Sequence, residues 1–371
     1  MTIAPGLLPE GLRDRLPPQA EALSRLLHRV IVAIGRHGYQ RVSPPLAEFE
    51  EGLVAQLKSA GARDLLRFVD PVSQRTLALR PDITAQVGRI AATRMGHRPR
   101  PLRLAYGGPV LKLRATQLRP ERELVQAGAE LIGTDSLAAV IEILRVAIEA
   151  LDVAGVTGIT VDLTLPDLVE TLAAGAMPLP AERIEAVRDL LDAKDAGGLA
   201  SLGATAYLPF IEAAGPVGPA LAKLRAIEGA KALDTRLEAI EAIAAAIGDR
   251  VTLTLDPTER HGFEYQRWIG FSLFGRGLSG EIGRGGSYTI VRPDGGEEKA
   301  IGFSLFIDPL VDVGLGVVEH KRVFLPLGTD PALAAKLRAD DWITVAALSD
   351  GDDAAALGCT HILRDGQPAA L

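Results

Sequence analysis

Strand-like runs stop near residue 132 and begin again at residue 251, so any sheet this chain forms is assembled from two segments with helices between them. In the first segment Ala20, Leu23, Leu27, Val30 and Ile34 recur at helical spacing after Pro17-Pro18. Residues 65–69 and 75–79 read as strands of a hairpin split by Asp70-Pro71. Asp82 reads as the cap of a helix running to about Arg94, and further strands are expected at 102–106, 110–113 and 123–132. Asp135 is expected to cap a helix that presents Leu137, Val140, Ile141, Leu144, Ile148 and Leu151 on one face. Short turns between consecutive strands predict an α+β fold, an antiparallel sheet flanked by helices.

The interlude at 162–248 is rich in alanine and leucine, nearly free of aromatics, and broken into short helices. Strands then return at 251–255, 263–274 and 288–291 to complete the sheet, with Gly283-x-Gly285 read as a turn. A last helix is expected over 300–314, breaking near Pro309. Residues 319–371 form a short α/β tail, with strands at 323–327 and 343–346 and a helix at 331–339. The expected organisation is therefore one domain from 1–161 and 249–318, a helical insertion at 162–248, and the tail.

A net charge of −7 opposes strong nonspecific binding to nucleic acid, although Arg114, Arg119 and Arg122 could form a local patch. With 23% charged and 47% hydrophobic residues the composition is that of a globular protein. Cys359 is the sole cysteine, which excludes an internal disulfide and fits a reducing compartment. No basic segment followed by an apolar one opens the chain, and no stretch is apolar enough to span a membrane, so a cytoplasmic protein is expected. The six histidines show no metal-ligand spacing, and neither metal nor cofactor is expected.

Among polar residues, Gln126-Gly128-Glu130 alternate so that Gln126 and Glu130 share one strand face. On their own, Asp82 reads as a helix N-cap and Thr84 as an early-helix residue, while Gln126 and Glu130 read equally well as an exposed strand face.

Several motifs, in order, resemble a class II aminoacyl-tRNA synthetase of the histidyl type over about residues 4–312. These are Pro9-Glu10-Gly11-Leu12-Arg13-Asp14, Gly38-Tyr39-Gln40-Arg41-Val42-Ser43-Pro44-Pro45, Arg80-Pro81-Asp82-Ile83-Thr84, Gln126-x-Gly128-x-Glu130 and Gly285-Gly286-Ser287-Tyr288. Two departures stand out. Lys112, in Gly108-Pro109-Val110-Leu111-Lys112-Leu113-Arg114, takes the place of an ATP-binding arginine. Asp308-Pro309 stands where that family has a Glu-Arg pair that grips ATP. Proline offers neither charge nor donor, and lysine lacks the planar fork of arginine.

The losses and matches together resemble the regulatory-subunit family of ATP phosphoribosyltransferase, a synthetase paralogue without catalysis. The resemblance implies a short catalytic partner chain, activation of that partner, feedback inhibition by L-histidine, and a homodimer inside a hetero-oligomer. It implies a histidine pocket in which Asp82, Thr84 and Gln126 hold the ammonium and Glu130 takes a ring nitrogen, with Tyr265 and Tyr288 alongside. In Arg260-His261-Gly262-Phe263-Glu264-Tyr265-Gln266, the counterpart of Arg-Gly-Leu-Asp-Tyr-Tyr, His261 and Gln266 replace an arginine and a tyrosine. The tail is about half of the family's anticodon-binding domain, so no specific tRNA binding is expected. An active histidine–tRNA ligase, and an assembly scaffold without histidine sensing, remain alternatives.

Overall fold

The computed structural model describes residues 6–56, 65–114, 120–260 and 267–371, which form two compact units, Met1–Gly316 and Val317–Leu371. The first helix, α1 (Gln19–Arg36), buries Ala22, Leu26, Val30 and Ile34, one face of a 3.6-residue repeat. After β1 (Gln40–Arg41) come β2 (Ala47–Phe49), α2 (Glu50–Gln56), β3 (Arg67–Val69) and β4 (Thr76–Leu79). Strands β2, β4 and β3 make a small antiparallel sheet. The expected hairpin is present: the Asp70 carboxylate accepts from the Val72 and Ser73 amides and closes the turn.

Helix α3 (Thr84–Thr93) leads to β5 (Leu102–Leu111) and β6 (Glu123–Ile132), paired antiparallel along their full length. Two separate strands were expected where β5 runs unbroken through Gly107-Gly108-Pro109. Pro109 is tolerated because β1, the other neighbour of β5, pairs only with Leu104 and Ala105. The cap of α4 (Leu137–Ala154) is Ser136, whose side chain accepts from the Ala139 amide, and not Asp135. Asp135 instead pairs with Lys299.

After β7 (Thr160–Thr164) the chain turns helical: α5 (Leu168–Ala173), α6 (Ala181–Asp192), α7 (Ala196–Ser201), α8 (Leu208–Glu212), the short strand β8 (Gly215–Pro216), α9 (Val217–Ala226) and α10 (Asp234–Ile247). Its two aromatics, Tyr207 and Phe210, are fully buried, and the Tyr207 hydroxyl donates to the Met177 carbonyl. Leucines and isoleucines of these helices join the core beneath α1 and α4.

The sheet resumes with β9 (Thr252–Leu255), β10 (Gly270–Phe274), β11 (Gly283–Val291) and β12 (Glu297–Phe306), followed by α11 (Asp308–Asp312). Its order is β1-β5-β6-β12-β11-β10-β7-β9-β8. The middle is antiparallel as expected, while β1–β5 and β7–β9 pair in parallel. Two expectations fail here. Residues 300–306 are strand rather than helix, because the run is buried on both faces and carries no period to separate the two. Gly283 and Gly285 lie inside β11 rather than in a turn, since Cβ atoms there would fall within 2.7 Å of β12 carbonyls.

Alternation gives each sheet face its own core. Ala105, Ala127, Ala129, Leu131, Ile301, Phe303 and Leu305 pack with α1 and α4. Leu102, Leu104, Tyr106, Ile132, Ala300 and Phe306 pack with α3 on the other face. The second unit holds β13 (Arg322–Leu325), α12 (Pro331–Ala339), β14 (Ile343–Ala346), β15 (His361–Arg364) and β16 (Gln367–Ala370), ordered β14-β13-β15-β16. The last two strands, rich in small and polar residues, were not foreseen.

Candidate functional site

On the α3 face, pleating brings Tyr106 of β5, Gln126, Gly128 and Glu130 of β6, and Gly302 and Ser304 of β12 to one side. Gly128 lies between Tyr106 and Ser304, and Gly302 lies opposite Glu130. Both glycines are needed for space. A Cβ on Gly302 would stand 1.8 Å from Glu130 Oε2, and one on Gly128 2.5 Å from the Tyr106 hydroxyl. Absence of side chains in the middle of the sheet is what lets the polar groups meet.

One end of the cluster is built at the start of α3. The Thr84 amide donates to Asp82 Oδ1 at 2.7 Å, and the Ile83 amide donates to Gln126 Oε1 at 2.9 Å. Asp82, expected as the cap, lies one residue before the N-cap, Ile83; one of its oxygens takes the Thr84 amide and the other reaches across to the sheet. Gln126 Nε2 donates to Asp82 Oδ2 at 2.7 Å and to Ser304 Oγ at 2.6 Å. At the other end, the Tyr106 hydroxyl donates to Glu130 Oε1 at 3.0 Å and the Tyr288 hydroxyl to Oε2 at 2.8 Å. Tyr106 also meets Ser304 Oγ at 2.8 Å and Thr84 Oγ1 at 3.0 Å.

Glu130 is 1% exposed. Burial pushes its carboxyl up to about 8, against the lowering effect of the Tyr288 and Tyr106 hydrogen bonds. Burial likewise holds the Tyr106 phenol well above its ordinary range. A carboxyl poised near neutrality opposite an Asp82–Gln126 acceptor end can exchange a proton with a ligand bearing a ring nitrogen. Arg80 borders the cluster, its guanidinium donating to the carbonyls of Pro109 and Pro44.

The region of the two substituted arginines is built differently. Asp308 is buried, with Oδ1 2.5 Å from Arg15 Nη2 and Oδ2 accepting from the Val125 amide at 2.6 Å. Pro309 sits in the first turn of α11, where its missing N–H has no intrahelical partner to lose. Lys112 places its Nζ 5.7 Å from the centre of the Phe306 ring. Near it, the Arg122 amide donates to the Gly11 carbonyl and the Arg122 side chain to the Lys112 and Glu10 carbonyls, tying the N-terminal segment to the β5–β6 hairpin.

Asp82, Thr84, Gln126, Glu130 and Tyr288, singled out from the sequence, are thus brought together. Tyr265, with His261 and Gln266, lies outside the described residues, as does Arg119. Tyr106 and Ser304 were missed. Tyr106 lies in a stretch correctly read as strand, in even register with Gly108. Ser304 was hidden by reading its strand as a helix. Among the described residues, no group of three His, Cys, Asp or Glu side chains could hold a metal ion, and no helix is long and apolar enough to cross a membrane.

This sheet, its helical insertion and a polar cluster across its central strands define a histidyl-type class II synthetase fold. The histidyl-tRNA synthetase family model matches residues 11–310. A solved structure titled as an ATP phosphoribosyltransferase regulatory subunit/histidyl-tRNA synthetase from Bacillus halodurans superposes with a TM-score of 0.81, covering 96% of this chain and 97% of that one at 23% identity. Two proteins named ATP phosphoribosyltransferase regulatory subunit are closer in sequence. The one from Rhodospirillum centenum is 43% identical, covering 97% of this chain and 95% of its own length. The one from Paramagnetospirillum magneticum is 44% identical, covering 96% of each. The chain belongs to the ATP phosphoribosyltransferase regulatory subunit family.

Proposed function

We propose that this chain is a noncatalytic regulatory subunit that binds L-histidine in the Asp82–Gln126–Glu130 cluster. In this role it activates a short catalytic ATP phosphoribosyltransferase chain, in the cytoplasm, and carries feedback inhibition to it. The observation that carries the reading is the buried polar cluster of Asp82, Thr84, Gln126, Glu130 and Tyr288, with Lys112 and Pro309 nearby where the resemblance puts arginines. Asp82 and Gln126 accept the ammonium, with the Thr84 hydroxyl alongside. Glu130 and Tyr288 face the imidazole, and Tyr265 is assigned to the same ring by resemblance. Each charge-assisted hydrogen bond contributes roughly 1.5–3 kcal/mol, enough together for a micromolar site. Lys112 and Pro309 support the absence of aminoacylation. The chain works as a homodimer within the hetero-oligomer.

Labelled-histidine binding to the purified chain, followed by phosphoribosyl-ATP formation in the complex reconstituted with a short catalytic chain across a histidine titration, tests this reading. Saturable binding with inhibition in the same concentration range is expected. Activation of the partner without histidine binding would leave only the scaffold.

A further inference from the structure

Gln126 and Glu130 do not touch each other; two side chains that the pocket assignment does not use join them, beside the Thr84 hydroxyl, which reaches both Tyr106 and Glu130. With Glu130 ionised, counting protons fixes the direction of the chain. The Ile83 amide can only donate, so the Gln126 atom it meets is the acceptor oxygen, and Gln126 Nε2 must be the donor. Asp82 Oδ2 fixes the same orientation independently, because Nε2 donates to it. Ser304 Oγ therefore receives a proton from Gln126 at 2.6 Å, and its own single proton is left for the Tyr106 oxygen at 2.8 Å. Tyr106 then accepts from Ser304, and Thr84 Oγ1 lies 3.0 Å from the same phenolic oxygen. The one phenolic proton goes to Glu130 Oε1 at 3.0 Å, nearer than the Phe303 carbonyl at 3.3 Å.

We propose that Ser304 and Tyr106 form a one-way hydrogen-bond bridge from Gln126 to Glu130, which makes Ser304 a positioning residue that holds Glu130 as an acceptor for a ligand's ring N–H. The ligand class rests on the amino-acid reading given above; the bridge itself does not. Ser304 touches neither Glu130 nor, in that reading, the ligand. It acts by making Tyr106 an acceptor on one side and hence a donor on the other. Hydrogen-bonded hydroxyls in series strengthen one another where water is excluded, and Tyr106, Ser304, Gln126 and Glu130 are all at most 3% exposed. Occupation of the Asp82–Gln126 end then alters the acceptor strength of Glu130 without movement of the backbone. This makes selection of the ligand's two ends cooperative rather than additive.

The test uses the full-length chain and two readouts. The first needs no ligand. The Glu130 carboxyl is followed through its titration by carbon-13 NMR, with assignment from Glu130→Gln. Ser304→Ala is expected to move the titration upward, Tyr106→Phe to move it further in the same direction, and Ser304→Thr, which keeps the hydroxyl, to restore it. The second is calorimetric binding of L-histidine. Ser304→Ala should weaken it about tenfold, the size of one hydrogen bond, in the natural chain and less than twofold in a Glu130→Gln background. An unchanged Glu130 titration in both Ser304→Ala and Tyr106→Phe overturns the bridge. So does an equal loss of binding in the two backgrounds. If histidine does not bind the natural chain at all, the amino-acid reading fails, while the titration still decides the bridge.

Discussion

At Gln126 and Glu130 the sheet keeps polar groups that face one another across gaps left by glycine. One residue before Gln126, the Val125 amide is bound to Asp308, and Asp308 in turn is paired with Arg15. The two regions are neighbours on strand β6 and are built in opposite ways. The first retains a carboxyl whose titration is raised to about 8 and two tyrosines aimed at it. In the second, proline stands where the resemblance puts an arginine, and the adjacent carboxylate is buried against Arg15 and the Val125 amide. A polar cluster and a neighbouring buried ion pair are thus carried by one sheet. The distinction is physical: a small polar ligand needs buried acceptors held by cross-strand bonds, a nucleotide needs mobile cations free to grip phosphate.

The largest effect expected from this contrast is on adenylate formation. Two lost transition-state contacts, each about 100- to 1,000-fold, should leave histidine-dependent ATP–pyrophosphate exchange undetectable on the purified chain. Clear turnover there would erase the difference between the two regions.

At the retained end, Glu130→Gln should weaken L-histidine by about 10- to 150-fold, corresponding to a charge-assisted bond of roughly 1.5–3 kcal/mol. Because coupling is reciprocal, the same variant should shift the inhibition curve of the reconstituted complex to higher histidine. Gln126→Ala should do likewise. Wild-type inhibition in both variants would move the histidine site elsewhere.

Two pH dependences sharpen the same assignment. Free histidine titrates near about pH 6.5, below the Glu130 value of about 8. Under acid both ring and Glu130 hold protons, and one must leave on binding. In alkali neither holds its titratable proton, although the neutral ring keeps one N–H, and a complex that shares the titratable proton must take one up. Histidine affinity should therefore peak between the two values and fall on either side, as read by calorimetry at pH 5.5, 7.2 and 9. For stability, the sign follows from a folded value raised above the unfolded carboxyl near 4.5. The folded chain holds the extra proton, so the Glu130 contribution is complete below about pH 4.5 and is lost as pH rises to about 8. The melting temperature of the ligand-free protein should drop across that window less steeply in Glu130→Gln than in the natural chain.

How much of this was legible in the sequence depends on burial. Helix α1 and strand β6 bury one clear stripe or run continuously between turns, and both were read correctly. The shared face of Gln126 and Glu130 followed from alternation alone. Strand β12 was misread as a helix because 300–306 is buried on both faces and its single glycine and small residues erase periodicity. That one error hid both Ser304 and the role of Gly302. Meeting of Asp82 with Gln126 depends on the placement of α3 over the sheet, a tertiary fact that no local pattern encodes. The resemblance to histidyl synthetases, not periodicity, supplied it.

The smallest effects should separate glycines that open the retained site from glycines that merely occupy a helix. A Cβ at Gly302 would press on Glu130 Oε2 and, at 2.6 Å, on the Ala129 carbonyl. The carboxylate can move; the β6 backbone cannot move without breaking its pairing with β12. Gly302→Ala should destabilise the fold by about 1–3 kcal/mol, as overpacking does, and should abolish histidine binding at concentrations that saturate the natural chain. Gly35 lies in α1 with nothing within 4 Å of its built Cβ and no left-handed backbone. Gly35→Ala should raise stability by about 0.5–1 kcal/mol through helix propensity and a less flexible unfolded chain, with binding unchanged. Chemical denaturation of the two variants measures the difference. Equal stability and equal histidine affinity in both would show that Gly302 does not keep the site open, and that Glu130 does not occupy the space the structure gives it.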